Sequence, residues 1–204
     1  ESRVSEPIIP PFLLQQTSFM APVLASFLCQ AAYLGGFVIT PILLISVFDL
    51  SISLAALFML TRTLSLTLAS PLGGRMAQRW GERKVVLVGL VIQALGLFVV
   101  GLGAYAVDLT WVAVGLVLQG VGHGFTLPPL TTVISYCVPS ALYGTASGIS
   151  RLATQIGASL GLSLFGALLL MENESFGLAE IFYLGAGITL LGLIPAVAVV
   201  EKGR

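Results

Sequence analysis

The chain has 204 residues, of which 57% are apolar and 9% are charged, and its formal net charge is zero. Soluble domains carry about 25% charged residues, so this composition excludes an ordinary soluble domain and predicts an integral membrane protein. A net charge of zero provides no bulk attraction for nucleic acid, and we expect no nucleic-acid partner. The sequence contains no P-loop, HExxH or CxxC pattern, so we also expect no cofactor and no metal site.

Six apolar segments are long enough to cross a bilayer, since a helix needs about 20 residues to span the hydrocarbon core. They lie at 20–47, 52–73, 85–106, 110–137, 145–170 and 178–200. Residues 1–19 precede them and residues 201–204 follow them. The chain begins with Glu1 and shows no cleavable signal peptide, which indicates a fragment or a processed product.

The first two spans contain polar side chains at membrane depth. Gln30, Tyr33 and Thr40 lie in the first span, and Arg62 lies in the second. An arginine at the bilayer centre costs about 2.5–3.5 kcal/mol on the insertion scale, so it normally faces protein or a watery cavity. Arg62 therefore either orients a ligand or bonds a neighbouring carbonyl to hold helices together, and the sequence leaves both interpretations open.

Positive charge is concentrated in one stretch, which we call the basic segment (residues 73–84). It carries four of the nine basic residues, between the second and third spans. Lys and Arg are retained on the cytoplasmic side of bilayers, so the basic segment is expected there. With six spans both termini then share that side, and the outer connections contain no Lys or Arg at all. The distribution predicts cytoplasmic termini, with 1–19 and 201–204 as cytoplasmic segments.

The fourth and fifth spans contain further polar side chains, whereas the third offers little beyond Gln93 and the sixth little beyond Thr189. Those of the fourth and fifth are Gln119, His123, Thr126, Thr131, Thr132, Arg151, Thr154 and Gln155. We therefore expect the first, second, fourth and fifth spans to line a cavity and the other two to face lipid. His123, the single histidine, either takes part in proton coupling or forms a hydrogen bond within a helix interface.

An internal repeat relates the two halves of the chain. The stretch GGFVITP (35–41) is similar to HGFTLPP (123–129), at an offset of 88 residues, and Arg62 falls close to the position of Arg151. Three spans per copy turn the second copy upside down, and paired helices interrupted by Gly and Pro are the best sequence indication of a transport site. We expect an all-α membrane protein of six helices in two inverted three-helix repeats, 20–106 and 107–200.

These patterns give a set of candidates for the solute path. They are Gln30, Tyr33, Gly36, Phe37, Pro41, Arg62, Gln119, His123, Phe125, Pro129, Arg151 and Gln155. For Gly157, Gly161, Gly185 and Gly192 the sequence favours helix packing instead, because small residues are common at interfaces between membrane helices. Cys29 and Cys137 lie in apolar runs and are expected to be buried thiols without a disulfide.

Three motifs resemble a known family. GGRMAQRWGERKVVL (73–87) resembles the signature between the second and third spans of a half in the major facilitator superfamily, although Gln78 stands where that family has an acidic residue. GVGHGFTLPPL (120–130) and GTASGISRLATQIGASLG (144–161) resemble late spans of the fourteen-span drug:proton antiporter branch. The resemblance implies a cytoplasmic gating loop made of Gly74, Arg75, Gln78, Arg79, Gly81, Arg83 and Lys84.

The resemblance also implies a function. The chain would be the C-terminal six-span half of a secondary transporter that exports small amphipathic solutes or drugs, coupled to protons, from the bacterial inner membrane. The second half would be the N-terminal half of the same protein or a second copy of this chain, and rocking of the halves would give alternating access. The alternative is a non-transporting six-span module that binds a partner or lipid. An enzyme is disfavoured, because the spans lack an acid and a metal-ligand cluster.

Overall fold

The computed structural model describes residues 11–171 and 177–199. Six helices of the described residues are long and apolar enough to cross a membrane, and no strand occurs among them. The prediction of an all-α membrane protein with six spans is therefore confirmed. The expected cytoplasmic tail 201–204 and most of the expected N-terminal segment lie outside the described residues.

The helices follow in chain order, and we number the spans 1 to 6. Span 1 is Thr17–Ser46, span 2 is Ile52–Trp80, span 3 is Glu82–Ala106, span 4 is Leu109–Tyr136, and span 5 is Tyr143–Leu170. Span 6 is Leu178–Leu191, continued after Gly192 by the short helix Leu193–Val197. A short helix, Pro11–Gln15, precedes span 1, and a 3-10 turn, Ser140–Leu142, precedes span 5.

Short polar residues start two of the spans. The Ser51 hydroxyl accepts a hydrogen bond from the Leu54 amide at 3.4 Å, and an Asp108 carboxylate oxygen accepts one from the Thr110 amide at 2.8 Å. Such N-caps satisfy amides that the first helical turn leaves without partners. Each cap follows a tight reversal, because Asp49 and Val107 have φ values of 51° and 52°.

The basic segment is helical almost throughout, which corrects the expected connection between 73 and 85. Span 2 runs to Trp80, Gly81 alone interrupts the helix, and span 3 begins at Glu82. Arg, Gln, Met and Ala are good helix formers. Arg79 lies in the last turn, where its positive charge interacts favourably with the negative end of the helix dipole. Charge therefore did not mark the helix end. That end depends on Gly81, whose φ of 92° suits glycine and few other residues.

The spans pack in a crossed arrangement. Span 4 packs along spans 3 and 2, span 5 packs on span 1, and span 6 packs on span 3. In the most apolar windows of spans 1, 3 and 4 at least 50% of the residues are buried, against 22% for spans 2 and 5. One face of span 3 is enclosed between spans 4 and 6, while Val91, Leu95 and Phe98 on that span are exposed, so its lipid-facing role stays a prediction.

Glycines bring the backbones of crossing helices into contact. A Cβ atom added at Gly96 would lie 2.9 Å from the Gly115 carbonyl oxygen, and one added at Gly115 would lie 2.7 Å from the Gly96 carbonyl oxygen. On span 5, a Cβ atom at Gly161 would overlap the carbonyl oxygen of Ala31. The expected packing role is confirmed for Gly161 and for Gly157, which lies against the Phe27 carbonyl oxygen, whereas a Cβ atom at Gly185 would lie 2.8 Å from the Phe165 ring.

Candidate solute-binding site

A buried arginine lies where spans 1 and 2 meet. Arg62 is fully buried, and its Nη2 donates a hydrogen bond to the Tyr33 carbonyl oxygen at 2.6 Å. Its guanidinium carbon lies 3.7 Å from the centroid of the Tyr33 ring and 5.0 Å from that of Phe37. An aromatic face attracts a cation through its quadrupole, and the attraction is larger when both groups are desolvated. The two rings therefore provide part of the stabilisation that water would give the charge.

The stack continues into span 4. The rings of Tyr33 and His123 lie parallel, with centroids 3.6 Å apart and an interplanar angle of 9°. The Tyr33 ring therefore contacts both the guanidinium of Arg62 and the imidazole of His123. Side chains from spans 2, 1 and 4 meet in one continuous group, which fixes the three helices relative to one another.

Span 3 supplies a polar side chain that the sequence analysis did not include among the candidates. The Gln93 amide nitrogen donates to the Cys29 carbonyl oxygen at 3.1 Å, and its Oε1 accepts from the Cys29 thiol at 3.2 Å. His123 Nδ1 lies 3.3 Å from that same Oε1 and 3.5 Å from the Cys29 sulfur. We call Cys29, Tyr33, Arg62, Gln93 and His123 the inner cluster. The sequence indicated the role of Gln93 in one way only, because it is a lone glutamine in an otherwise apolar span.

Several buried polar atoms have no hydrogen-bond partner among the described residues. They are Nε and Nη1 of Arg62, both amide atoms of Gln119, and Oε1 of Gln30. Buried polar groups are normally paired, because the loss of water is otherwise uncompensated. The inner cluster is also without a carboxylate that would neutralise Arg62. It is a buried cationic centre, enclosed too deeply to touch a solute in this conformation.

A separate cavity of about 440 Å³ lies between spans 1, 4 and 5. Its lining residues are Gln30, Leu127, Thr131, Ile134, Ser135, Ser147, Ser150, Arg151, Thr154 and Gln155. The residues of span 4 belong to its second half and those of span 5 to its first half. These two ends lie on the same side of the bundle as the junction at Gly81, so the cavity lies toward the basic segment.

The structure divides the candidate residues between these two places. Gln30, Arg151 and Gln155 line the cavity, and Tyr33, Arg62 and His123 belong to the inner cluster. Phe37 touches only the rim of the inner cluster, at Arg62. Five other candidates belong to neither place. They are the buried residues Gly36, Gln119 and Pro129 and the half-buried residues Pro41 and Phe125.

The cavity contains residues that the sequence analysis did not list as candidates. Leu127, Ile134, Ser135, Ser147 and Ser150 were missed, and Thr131 and Thr154 were noted only as polar residues. A signal was present in span 5, because Ser147, Arg151 and Thr154 recur at intervals of three and four residues and therefore share one helix face. None of the ten lining residues belongs to span 2, which was also expected to line the solute path.

The side chains of the expected gating loop point mainly outward. Arg75, Gln78, Arg79 and Lys84 are exposed, and Gly74, Gly81 and Arg83 are partly exposed. A Cβ atom added at Gly74 would meet nothing within 4 Å, so this glycine is not needed for packing within the bundle.

Residues 18–203 match the family model described as Major Facilitator Superfamily. The chain belongs to the major facilitator superfamily. It is 31% identical over 169 residues to the multidrug resistance protein Stp of Mycobacterium tuberculosis, covering 83% of this chain and 31% of that protein. It is 26% identical over 169 residues to the tetracenomycin C resistance and export protein of Streptomyces glaucescens, with the same coverage of each chain.

A third relative carries a different name. The chain is 28% identical over 177 residues to the triacylglyceride transporter of Mycobacteroides abscessus, covering 81% of this chain and 34% of that protein. The match therefore spans about a third of the length of these superfamily relatives. The six apolar helices agree with a multi-pass membrane protein, and the expectation of transport, efflux and multidrug resistance agrees with the names of these relatives.

Proposed function

We propose that the chain is the C-terminal six-span half of a proton-coupled exporter of small amphipathic solutes, working by alternating access. The cavity between spans 1, 4 and 5 carries this proposal, because eight of its ten lining residues are polar although the spans are apolar overall. Polar side chains at membrane depth are costly and typically mark a solute path. Two relatives named for multidrug resistance and for resistance and export support an export direction.

A second six-span bundle is part of the proposal, either the N-terminal half of the same protein or a second copy of this chain. In spans 2 and 5 only 22% of the residues in the most apolar window are buried, the lowest share among the six spans. These two spans offer the surface on which such a bundle would pack. The relatives are about three times as long as the matched segment, which supports a longer transporter of the fourteen-span branch. Packing of span 2 on span 4 and of span 5 on span 1 supports two inverted triplets.

The proposed orientation places the basic segment and both termini in the cytoplasm of a bacterial cell, so that the cavity lies toward the cytoplasm. All nine acidic residues lie outside the spans or near their ends. The carboxylate that carries the proton is therefore assigned to the second bundle, and His123, which is 3% exposed, is assigned to the inner cluster.

Transport by reconstituted protein tests the function. Purified protein that includes the second six-span bundle, placed in proteoliposomes with an imposed pH gradient, should move at least one member of a panel of anionic, neutral and cationic fluorescent solutes. Gly74→Leu should insert normally and slow transport, because it fills space at the proposed gating contact. Gly187→Leu is the matched control, since a Cβ atom there also meets nothing within 4 Å but lies on span 6. A complete absence of transport across the panel would instead favour the six-span binding module.

A further inference from the structure

The cavity between spans 1, 4 and 5 contains one charged side chain. Arg151 is exposed to it, and none of the ten lining residues is Asp or Glu. Within the part of the chain that the structure describes, the Arg151 guanidinium has no hydrogen-bond or ion-pair partner. The wall therefore presents an unpaired cation beside amides and hydroxyls.

Three of the five hydroxyl groups in the lining already donate to backbone carbonyls. Thr131 donates its hydroxyl proton to the Pro128 carbonyl oxygen at 2.8 Å, and Ser135 donates to the Thr131 carbonyl oxygen at 3.1 Å. Thr154 donates to the Arg151 carbonyl oxygen at 2.9 Å. Because the helices already use these protons, the strongest N–H donors left for a solute belong to Arg151, with the Gln155 amide one turn away.

The depth of Arg151 makes a counter-charge necessary. It lies eight residues after Tyr143, the first residue of span 5, which corresponds to about 12 Å along the helix. When a transporter closes around its solute, the cavity loses water, and a guanidinium left without an opposite charge becomes unfavourable. The fully buried Arg62 adds a second positive charge to the bundle instead of neutralising the first.

We propose that this cavity binds the anionic end group of an amphipathic solute, a carboxylate or a sulfonate, and that Arg151 holds it. The planar guanidinium matches such groups with two parallel hydrogen bonds. Leu127 and Ile134, the two apolar lining residues, contact the apolar part of the solute, and the volume of about 440 Å³ suits one small ring system. The inference rests on the proposed function in taking the cavity as the solute path, and it narrows the solutes to anions.

Three solutes with one ring system test the charge preference. Naphthalene-1-sulfonate, 1-naphthalenemethanol and (1-naphthylmethyl)trimethylammonium are titrated into the purified protein in micelles, and binding is measured by equilibrium dialysis. The wild type is compared with Arg151→Gln and Arg151→Lys, so that partition into the micelle cancels. Arg79→Gln is a matched control that removes one exposed positive charge outside the cavity. Melting temperatures confirm that each variant is folded.

We expect the sulfonate to bind most tightly and Arg151→Gln to weaken it by about 10- to 100-fold, the usual effect of losing a hydrogen bond to a charged group. Arg151→Lys should restore part of the affinity, and Arg79→Gln should leave it within about twofold of the wild type. Equal loss in Arg79→Gln, or equal affinity of the cation and the sulfonate, would overturn the anion site.

Transport of the same solutes separates the two proposals. If sulfonate binding depends on Arg151 but no solute crosses proteoliposomes, the anion site stands and the transport function fails. If the cation or the alcohol is transported while sulfonate binding is unaffected by Arg151→Gln, transport stands and the anion site is wrong.

Discussion

The ring of Tyr33 lies between Arg62 and His123, with its centroid 3.7 Å from the guanidinium carbon and 3.6 Å from the imidazole centroid. Three spans are thereby joined through one aromatic side chain, in a region where Arg62 has no carboxylate partner among the described residues. Cation–π contacts and one carbonyl replace the ion pair that a buried arginine would usually have. The inner cluster therefore links helices that the sequence separates by up to 94 residues (Cys29 to His123).

Replacing Arg62 with methionine should leave the melting temperature unchanged or raise it. Methionine keeps an extended side chain and removes a charge with two unpaired nitrogens, and exchange of a buried charge for an apolar residue is often neutral or stabilising. Arg62→Ala should instead cost about 2–5 kcal/mol, because it leaves a cavity. Melting in detergent checks both variants. A methionine variant that melts as low as the alanine variant would show that the contacts of Arg62 with Tyr33 are net stabilising.

Gly161→Ala should destabilise the protein, because its new methyl group overlaps the carbonyl oxygen of Ala31 and forces spans 1 and 5 apart. Overpacking of this kind costs about 1–3 kcal/mol. Gly166→Ala is the matched control on the same helix, since a Cβ atom there meets nothing within 4 Å. Thermal melting of both variants measures the difference. Equal melting temperatures would contradict the close approach of the two helices.

Gln93→Leu should lower stability by about 1–3 kcal/mol, because it leaves the Cys29 thiol and the His123 Nδ1 without their shared partner. Gln155→Leu makes the same chemical change in the cavity wall, where the side chain is exposed, and should leave the melting temperature nearly unchanged. Comparing the two melting curves isolates the effect of burial. A larger loss in Gln155→Leu than in Gln93→Leu would be inconsistent with this placement.

Cys137 should react with a membrane-impermeant maleimide from the side of the basic segment, whereas fully buried Cys29 should not react until the protein unfolds. Cys137 directly follows span 4 at that end of the bundle. Burial raises the pKa of the Cys137 thiol, so less thiolate is present at neutral pH and labelling is slow there. Its rate should rise roughly tenfold per pH unit below that pKa, because the thiolate is the nucleophile.

Inside-out and right-side-out vesicles give the orientation from the same reaction. We expect labelling in inside-out vesicles only, and Cys137→Ser should remove it. Fast labelling in right-side-out vesicles would place the basic segment outside the cell, against the proposed topology.

The sequence alone determined the number of spans and most of their bounds. Charged side chains are costly in hydrocarbon, so long stretches without charge mark the spans. The described spans begin and end within three residues of the expected positions except near the basic segment and at the end of span 6. At the basic segment, helix propensity carried span 2 from the expected residue 73 to Trp80. A lipid boundary and a helix boundary are different physical limits, and charge reports only the first.

The candidate site was predictable in part. Polar residues in apolar spans identified Gln30, Tyr33, Arg62, His123, Arg151 and Gln155, and all of these lie in the inner cluster or the cavity. Gln93 was passed over because span 3 was expected to face lipid. No local pattern shows that glycine contacts draw span 3 against span 4 and turn Gln93 inward.

The surroundings of Arg62 and Arg151 could not be predicted from the sequence. They occupy nearly corresponding positions in the internal repeat, yet Arg62 is fully buried in the inner cluster and Arg151 is exposed to the cavity. Residue type and position along the chain determined that each would lie within a long apolar helix. Only the packing of whole helices decided their surroundings, because the direction in which a side chain points depends on the rotation and crossing of spans far apart in sequence.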